Sequence, residues 1–237
     1  MARVVLVTGG GKGIGAAICE RFASAGERVV SVGRSAGDAV DEVCDVTDES
    51  AVESLFARVG LVDVLVNNAG IAESAPLART TLTDWQRHLD VNATGAFLCT
   101  RAALPGMLDR GGGHVVTIAS TAGKIGARYT SAYTASKHAA VGLTRAVAAE
   151  VAGTGVTANA VCPTFVRTEL TDRALRRISE KSGRSLEDAL AALEASSPLG
   201  RLLEPAEVAA AVWYLASPEA AAVNGQTLVL DGGGVQS

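Results

Sequence analysis

The chain has 237 residues, of which 48% are hydrophobic and 19% charged, and its formal net charge is −4. This balance predicts a folded, well-packed protein and excludes a disordered chain. A negative charge without a basic run argues against nucleic acid as a partner, and no apolar run approaches the length of a bilayer span. The N-terminus lacks a signal-peptide core and the four cysteines lack metal or redox spacing, so we expect a cytoplasmic protein with no membrane and no metal site.

The first predicted strand, Arg3 to Thr8, runs into the glycine-rich turn G-G-G-K-G-I-G at 9–15 and then a helix that ends near Gly26. Backbone without side chains can approach a pyrophosphate closely, and the helix N-terminus offers free N–H groups. A tight turn without a ligand needs only one or two glycines. This stretch therefore predicts nucleotide binding.

The second predicted strand, Arg28 to Gly33, ends without the acidic residue that an adenosine ribose would require. Gly33 and Arg34 stand there instead. A short strand at 41–44 follows after too few residues for a full crossover helix, and Asp45 with Val46 comes next, where the pair can address an adenine. A helix is predicted from 48 to about 58.

A fourth strand, Val62 to Val66, ends in N-N-A-G at 67–70, a turn that suits the lining of a cleft at a strand end. The segment 84–110 is predicted as two helical pieces, with Asn92 at an interior position where asparagine is a poor helix former. Pro105 is expected to kink or restart the end of the second piece. A fifth strand is predicted over 114–119.

Ser120 closes that strand, and Tyr133 and Lys137 follow in a run without a helix breaker. Their spacing of four puts them on one helical face, about 6 Å apart along the axis. A neighbouring ammonium lowers the pKa of a phenol, and a phenol so tuned is a general acid for a carbonyl oxygen. The Y-x-x-x-K pattern is weak by itself, because a half-buried tyrosine beside a solvated lysine also fits it.

The helix around Tyr133 is small and apolar nearly all round, which predicts a second subunit against it and a homotetramer. A sixth strand, Gly155 to Cys162, is stopped by Pro163, and the charged segment 164–197 is interpreted as a lid over a cleft, extending to about residue 200. A helix over 205–216 and a strand over 227–230 complete the chain. The alternation predicts an α/β fold: a single domain over 1–237 with a doubly wound, parallel, seven-stranded sheet and helices on both faces.

Six motifs in this order resemble the short-chain dehydrogenase/reductase family, a Rossmann-fold family, over essentially the whole chain: T-G-G-G-K-G-I-G, N-N-A-G, Asn92, Ser120, Tyr133-x-x-x-Lys137 and the turn at 163–168. The stretches 118–124 and 133–163 are most similar to β-ketoacyl thioester reductases, of the 3-oxoacyl-carrier-protein and aromatic polyketide types. Two departures concern the sub-family. Pro163 is followed by Thr164 where the family usually has glycine, and 71–77 lacks a Pro-Gly-Gly.

The resemblance implies a role for each motif. Tyr133 would protonate a carbonyl as hydride arrives from the nicotinamide, and Lys137 would depress the tyrosine pKa and bond the nicotinamide ribose. Ser120 would polarise the substrate oxygen, and Asn92 would hold a water that relays protons to Lys137. The implied cofactor contacts, running from the pyrophosphate through the adenine and ribose to the carboxamide, are Gly9, Gly11, Lys12, Gly13, Ile14, Gly15, Arg34, Asp45, Val46, Asn68, Ala69, Gly70, Tyr133, Lys137, Pro163, Val166 and Thr168.

We expect NADPH as cofactor, because Gly33 leaves space for a 2′-phosphate while Arg34 and Lys12 offer donors to it. In the alternative, Arg34 stacks on the adenine, Asp38 or Asp41 reaches the ribose hydroxyls, and NAD is used. The expected substrate is a 3-oxoacyl thioester on a carrier protein or coenzyme A, whose phosphopantetheine would meet the lid arginines. The lid could equally be a solvated face, and an NAD-dependent dehydrogenase of a small secondary alcohol or a non-catalytic dinucleotide sensor remain alternatives.

Overall fold

Alternating apolar strands and helices build one sheet in the computed structural model, which describes residues 2–37 and 39–236. Seven strands lie in the order β3-β2-β1-β4-β5-β6-β7, and every neighbouring pair is parallel. The strands are β1 Val4–Thr8, β2 Arg28–Gly33, β3 Glu42–Val43, β4 Val64–Asn67, β5 Gly113–Ile118, β6 Val156–Pro163 and β7 Thr227–Leu230. The predicted fold class is confirmed.

Helices cover both faces of this sheet. They are α1 Gly13–Ser24, α2 Glu49–Val59, α3 Leu82–Leu89, α4 Gly95–Asp109, α5 Ser131–Glu150, α6 Glu169–Ser182, α7 Leu186–Ala195 and α8 Pro205–Leu215. Successive side chains of a strand point to opposite faces, so Leu6 of β1 packs in the core beneath α2, α4 and α5. Val5 and Val7 pack in the core beneath α1 and α8. The two cores together bury both sides of the sheet.

The strand order reverses at β1, which has β2 on one side and β4 on the other. A crevice opens at such a switch point, outside the carboxyl ends of the strands. The glycine-rich turn follows β1 and the turn 68–70 follows β4, so both border this crevice. The fold thus brings together the first two predicted nucleotide-binding motifs.

Two local predictions need correction. The helix continues through Pro105, which lies inside α4 rather than at a break. The interruption occurs earlier, at Asp90–Thr94, where the backbone forms one π-helical turn that contains the buried Asn92. Such turns widen the helix by one residue and are frequent at functional sites. Asn92 therefore lies where the backbone already departs from regular α-helical hydrogen bonding.

The segment after β6, for which we predict a lid, forms two helices, α6 and α7. β6 itself includes Pro163 instead of stopping before it. No helix among residues 2–37 and 39–236 combines the length and the apolar character needed to cross a bilayer.

Candidate active site

The glycine turn is shaped by close backbone contacts. A Cβ on Gly15 would lie 2.1 Å from the carbonyl oxygen of Gly9, so no other residue fits there. Gly9 and Gly13 have φ angles of +66° and +54°, which favour glycine. The α1 N-cap residue, Lys12, makes no side-chain capping bond, which leaves the first N–H groups of the helix for another acceptor. This cradle fits the pyrophosphate of a dinucleotide, and Ile14 anchors it to the core beside α1.

Asn68 holds that turn in place. Its amide donates to the carbonyl oxygens of Thr8 (2.9 Å) and Gly9 (3.0 Å). The backbone N–H groups of Asn68 and Ala69 both donate to the Thr8 hydroxyl at 3.0 Å. The Asn68 side chain therefore stabilises the glycine-rich turn at 9–15, which we call the phosphate turn. The expected ribose contact would have to come from the backbone of the segment that ends at Gly70. Thr8 was not singled out from the sequence, although its place at a strand end before glycines was a usable signal.

At the adenosine end, Arg34 is exposed and has no hydrogen-bond or ion-pair partner among the described residues. The Val40 side chain lies over Gly11 and Gly33, because a Cβ on either glycine would come within 2.8 Å of Val40 Cγ2. The Asp41 carboxylate accepts hydrogen bonds from the Ser31 N–H and hydroxyl, each at 2.8 Å. The Asp41 carboxylate, one of the two predicted alternatives for the ribose hydroxyls, is thus already hydrogen-bonded to Ser31. The other alternative, Asp38, falls outside the described residues.

Lys12 does not stand free for a phosphate. Its ammonium pairs with the Glu169 carboxylate at 3.0 Å, with both side chains more than 60% exposed. Glu169 opens the lid helix α6. The expected contact of Lys12 with a 2′-phosphate would require this exposed pair to separate, and exposed pairs are worth little.

Asp45 and Val46 follow β3 as expected. Asp45 is half-buried, and its carboxylate accepts from the N–H and hydroxyl of Thr47, at 3.0 and 2.8 Å. Val46 is buried against Gly95 at the start of α4. Their side chains fix the turn, so an adenine would meet the turn's remaining acceptor and backbone groups.

The nicotinamide end is built from the segment after β6. Pro163 is buried at the strand end, and Val166 pairs with Leu203. The carbonyl oxygen of Val166 accepts hydrogen bonds from the hydroxyls of Thr168 (3.3 Å) and Thr171 (2.6 Å). Thr168 caps α6, and its methyl group lies 3.2 Å from where a Cβ on Gly13 would be. The beginning of the lid therefore rests on the phosphate turn.

Lys137 and Tyr133 lie on one face of α5, as their spacing predicts. Lys137 is only 5% exposed, and its ammonium donates to the Ile118 carbonyl at 2.8 Å. The ammonium nitrogen lies 5.9 Å from the centroid of the Tyr133 ring. Ser120 follows β5, and its hydroxyl oxygen accepts a hydrogen bond from the Ala122 N–H at 3.1 Å.

The pKa values differ from the expectation. Burial raises the pKa of Tyr133, and the hydrogen bond from Ser120 offsets only part of that rise. Burial also lowers the pKa of Lys137 to about 8, while the nearby Cys162 acts in the opposite direction. The predicted depression of the tyrosine pKa by Lys137 is therefore wrong for this structure. The removal of each group from water is the largest cause of its shift.

Asn92 uses both amide hydrogens within the protein. They go to the Ile71 carbonyl (3.0 Å) and the Ser136 hydroxyl (2.9 Å), and its oxygen accepts from the Ile71 N–H at 2.9 Å. The predicted water would have to use the remaining acceptor capacity of this oxygen or the main chain. Ser136 was missed in the sequence, although it directly precedes Lys137 in the motif.

Comparison with known proteins identifies the family of this chain. A family model described as Enoyl-(Acyl carrier protein) reductase matches residues 9–234. The chain belongs to the short-chain dehydrogenase/reductase family. The predictions of that family and of an oxidoreductase that interconverts a ketone and an alcohol with a nicotinamide cofactor are thereby confirmed.

Individual relatives of this short-chain dehydrogenase/reductase differ in substrate. Acetoacetyl-CoA reductase of Rhizobium meliloti is 39% identical, with 98% of each chain covered. D-threitol dehydrogenase of Mycolicibacterium smegmatis is 38% identical, with 98% of this chain and 92% of the relative covered. The structure of a variant of actinorhodin polyketide ketoreductase with NADPH superimposes with a TM-score of 0.90, at 38% identity over 98% of this chain and 97% of that one.

Substituting Lys137 by methionine should change the pH dependence of stability. Between pH 8 and 10.5 the unfolded chain holds a proton at Lys137 that the folded chain has released, so wild-type stability rises across this window relative to Lys137→Met. The unfolding free energy of the variant minus that of wild type should fall by on the order of 3 kcal/mol from pH 7 to 10.5. Urea unfolding at several pH values measures it.

Lys181→Met, on the exposed side of α6, is the matched control and should leave the difference constant with pH. Parallel pH curves for wild type and Lys137→Met would contradict the shifted pKa of the buried lysine.

Proposed function

We propose that this short-chain dehydrogenase/reductase is an NADPH-dependent reductase of 3-oxoacyl thioesters. Its catalytic group would be Tyr133, with Ser120, Lys137 and Asn92 in support. The observation that carries the reductase assignment is the position of the Lys137 ammonium, which bonds the Ile118 carbonyl at the end of β5 and lies 5.9 Å from the Tyr133 ring centroid. Ser120 follows the same strand end, on the sheet edge that also holds the phosphate turn. When bound, NADPH supplies the hydride.

The chain's own groups handle the proton. The pKa of a phenol ordinarily lies well above neutral pH, and burial raises that of Tyr133 further. The phenol is therefore protonated at neutral pH, which is the form that reduction requires. As the carbonyl carbon gains hydride, the oxygen gains negative charge and takes the phenol proton, giving a secondary alcohol. The Ser120 hydroxyl donates to the same oxygen and polarises it. Lys137, whose pKa is lowered to about 8, can return a proton to the phenolate that remains through the proposed proton relay.

Asn92 acts as a positioning residue in this proposal. It ties Ile71, at the end of the turn after β4, to Ser136 on α5. A Cβ on Gly70 would lie 3.2 Å from Asn92 Oδ1 and 3.6 Å from Lys137 Nζ. The three residues therefore meet closely enough for one water to serve both Asn92 and Lys137, as the proton relay requires.

The lid favours a substrate with a phosphate. Its exposed cations, which are not in any ion pair within the described residues, are Arg173, Arg176, Lys181 and Arg184. In the solvated-face alternative their partners are Glu169, Asp172, Glu180 and Glu187. In the part of the chain that the structure describes, none of the four forms an ion pair with a lid cation, and Glu169 pairs with Lys12 instead. Cations beside a crevice suit the phosphopantetheine of a carrier protein or of coenzyme A.

We also propose a homotetramer. The side of α5 turned away from the sheet is exposed and carries small residues at a helical spacing, Ala139, Gly142, Ala146 and Ala149, beside the exposed side chains of His138, Arg145 and Glu150. Phe97 of α4, the second helix that we propose for the interface, is 42% exposed. Small residues let two copies of a helix approach closely, as an isologous contact requires. The free thiols of the chain fit a reducing compartment, and we assign it to the cytoplasm.

Light scattering at micromolar concentration should give the mass of four chains. Ala146→Glu places a charge on the proposed contact and should lower the mass to that of a smaller species. Ala174→Glu, on the exposed side of α6, should leave it unchanged. A wild-type mass of one chain would contradict the assembly.

Tyr133→Phe should lower kcat for an acetoacetyl thioester by about two to four powers of ten, because it removes the proton donor. NADPH affinity, measured by fluorescence titration, should stay nearly constant because the ring still packs. A variant that keeps more than half of the wild-type kcat would refute the role of Tyr133. Absence of activity of the wild type on every thioester, with activity on small diols instead, would favour the alternative of a small-alcohol dehydrogenase, as in D-threitol dehydrogenase.

Arg34→Ala should reduce the preference for NADPH over NADH by about tenfold to a hundredfold, since a charged hydrogen bond contributes about 1.5–3 kcal/mol. The ratio of kcat/KM for the two cofactors measures it. Arg28→Ala, at the opposite end of β2 and equally exposed, is the matched loss of charge and should not alter the ratio. A wild type that prefers NADH would show that Arg34 does not read the phosphate.

A further inference from the structure

A cavity of about 260 Å³ lies between α3, the N-terminus of α5 and the lid helix α6. Its lining mixes apolar and polar atoms, and the polar side chains include those of Glu73, Asp84, His88, Tyr129, Ser131 and Arg177. An alkyl chain alone would take these polar groups out of water without compensation. A carbon chain that also carries an oxygen atom matches such a lining better.

The acidic residues of the cavity are already engaged. Glu73 pairs with Arg87 at 2.5 Å, and the Asp84 carboxylate accepts a hydrogen bond from the Thr81 hydroxyl at 2.7 Å. The ring of His88 is also used on both sides: one nitrogen lies 2.7 Å from the Asp84 carbonyl oxygen, and the other accepts from the Glu73 N–H at 3.1 Å. These contacts stabilise the wall of the cavity. A ligand would therefore have to bind to other side chains of the lining.

Two donors in the cavity lack protein partners. The Ser131 hydroxyl oxygen is buried and makes no hydrogen bond to any described residue. Arg177 is half-buried and forms no ion pair within the described part of the chain. A buried hydroxyl without a partner is rare in folded proteins. Both groups suit an oxygen acceptor.

The backbone at Tyr129, which lines the cavity, is strained. Its φ of +65° makes it the one non-glycine residue with positive φ in the described ranges. The strain is held by a hydrogen bond from the Ala75 N–H to the Tyr129 carbonyl at 2.8 Å. Residues kept in such conformations cluster at ligand sites, where the surrounding structure fixes them.

The cavity adjoins the reaction centre. Ser131 and Ala132 directly precede Tyr133 on α5, and the ring of His88 meets the ring of Tyr133 edge-on at 6.5 Å between centroids. A substrate whose carbonyl reaches the Tyr133 phenol can therefore extend a few atoms further into the cavity.

We propose that this cavity is a specificity subsite for an oxygenated acyl chain. Ser131 Oγ and the Arg177 guanidinium donate hydrogen bonds to a hydroxyl or oxo oxygen that the chain carries beyond its 3-oxo group. The inference rests on the proposed function and narrows its substrate class from 3-oxoacyl thioesters in general to those with a further oxygen.

The test compares two N-acetylcysteamine thioesters, 3-oxohexanoyl and 5-hydroxy-3-oxohexanoyl, by kcat/KM with NADPH. Wild type should prefer the oxygenated substrate by about tenfold or more. Ser131→Ala should reduce kcat/KM for the oxygenated substrate about fivefold, and Arg177→Ala about tenfold or more, with little effect on the alkyl substrate. Ser131→Thr retains the hydroxyl and should keep the preference, which separates hydrogen bonding from a defect in folding.

Arg28→Ala is the matched control, because Arg28 is an exposed arginine at the start of β2 and outside the cavity lining. This variant should behave as wild type on both thioesters. Equal kcat/KM for the two thioesters, or equal losses on both in Ser131→Ala, would overturn the subsite while the thioester reductase stands. Failure of wild type to reduce either thioester would instead overturn the proposed function.

Discussion

The buried ammonium of Lys137 is the constraint around which the site is arranged. Taking an ammonium out of water is unfavourable, and the protein offers it one hydrogen bond, to the Ile118 carbonyl. Glycine neighbours make the approach possible. A Cβ on Gly123 would lie 2.9 Å from the Lys137 carbonyl oxygen, and one on Gly70 would lie 3.6 Å from the ammonium. The lysine is held as a group whose proton is easily lost near neutral pH, beside a tyrosine that keeps its own.

The architecture could be predicted from the sequence because it depends on local patterns. Apolar β-branched runs and glycine turns gave the strands, and the predicted bounds of β2 match the observed ones. The helical spacing of Tyr133 and Lys137 was likewise local information. Asn92 was recognised as a poor helix former, but the π-turn that accommodates it could not be predicted, because that turn depends on contacts with Ile71 and Ser136.

What the sequence could not supply were effects of burial and of distant partners. The direction of the Tyr133 pKa shift depends on how much protein surrounds the phenol, and the spacing of residues along the chain does not reveal this. Lys12 was expected to meet a phosphate, yet its partner Glu169 lies 157 positions away in the chain. Asp41 was an alternative ribose ligand until the structure placed Ser31 beneath its carboxylate. In each case the competing interaction was invisible along the chain.

Two contacts join the start of α6 to the phosphate turn. Thr168 packs on Gly13, while the Lys12 and Glu169 pair bridges the same two segments at the surface. The first contact is partly buried, so it fixes where α6 begins. The second is exposed and contributes little to stability, so it can separate at small cost. A phosphate near Lys12 would compete with Glu169 for the ammonium, so the proposed cofactor contact of Lys12 and the proposed lid meet at one exposed ion pair.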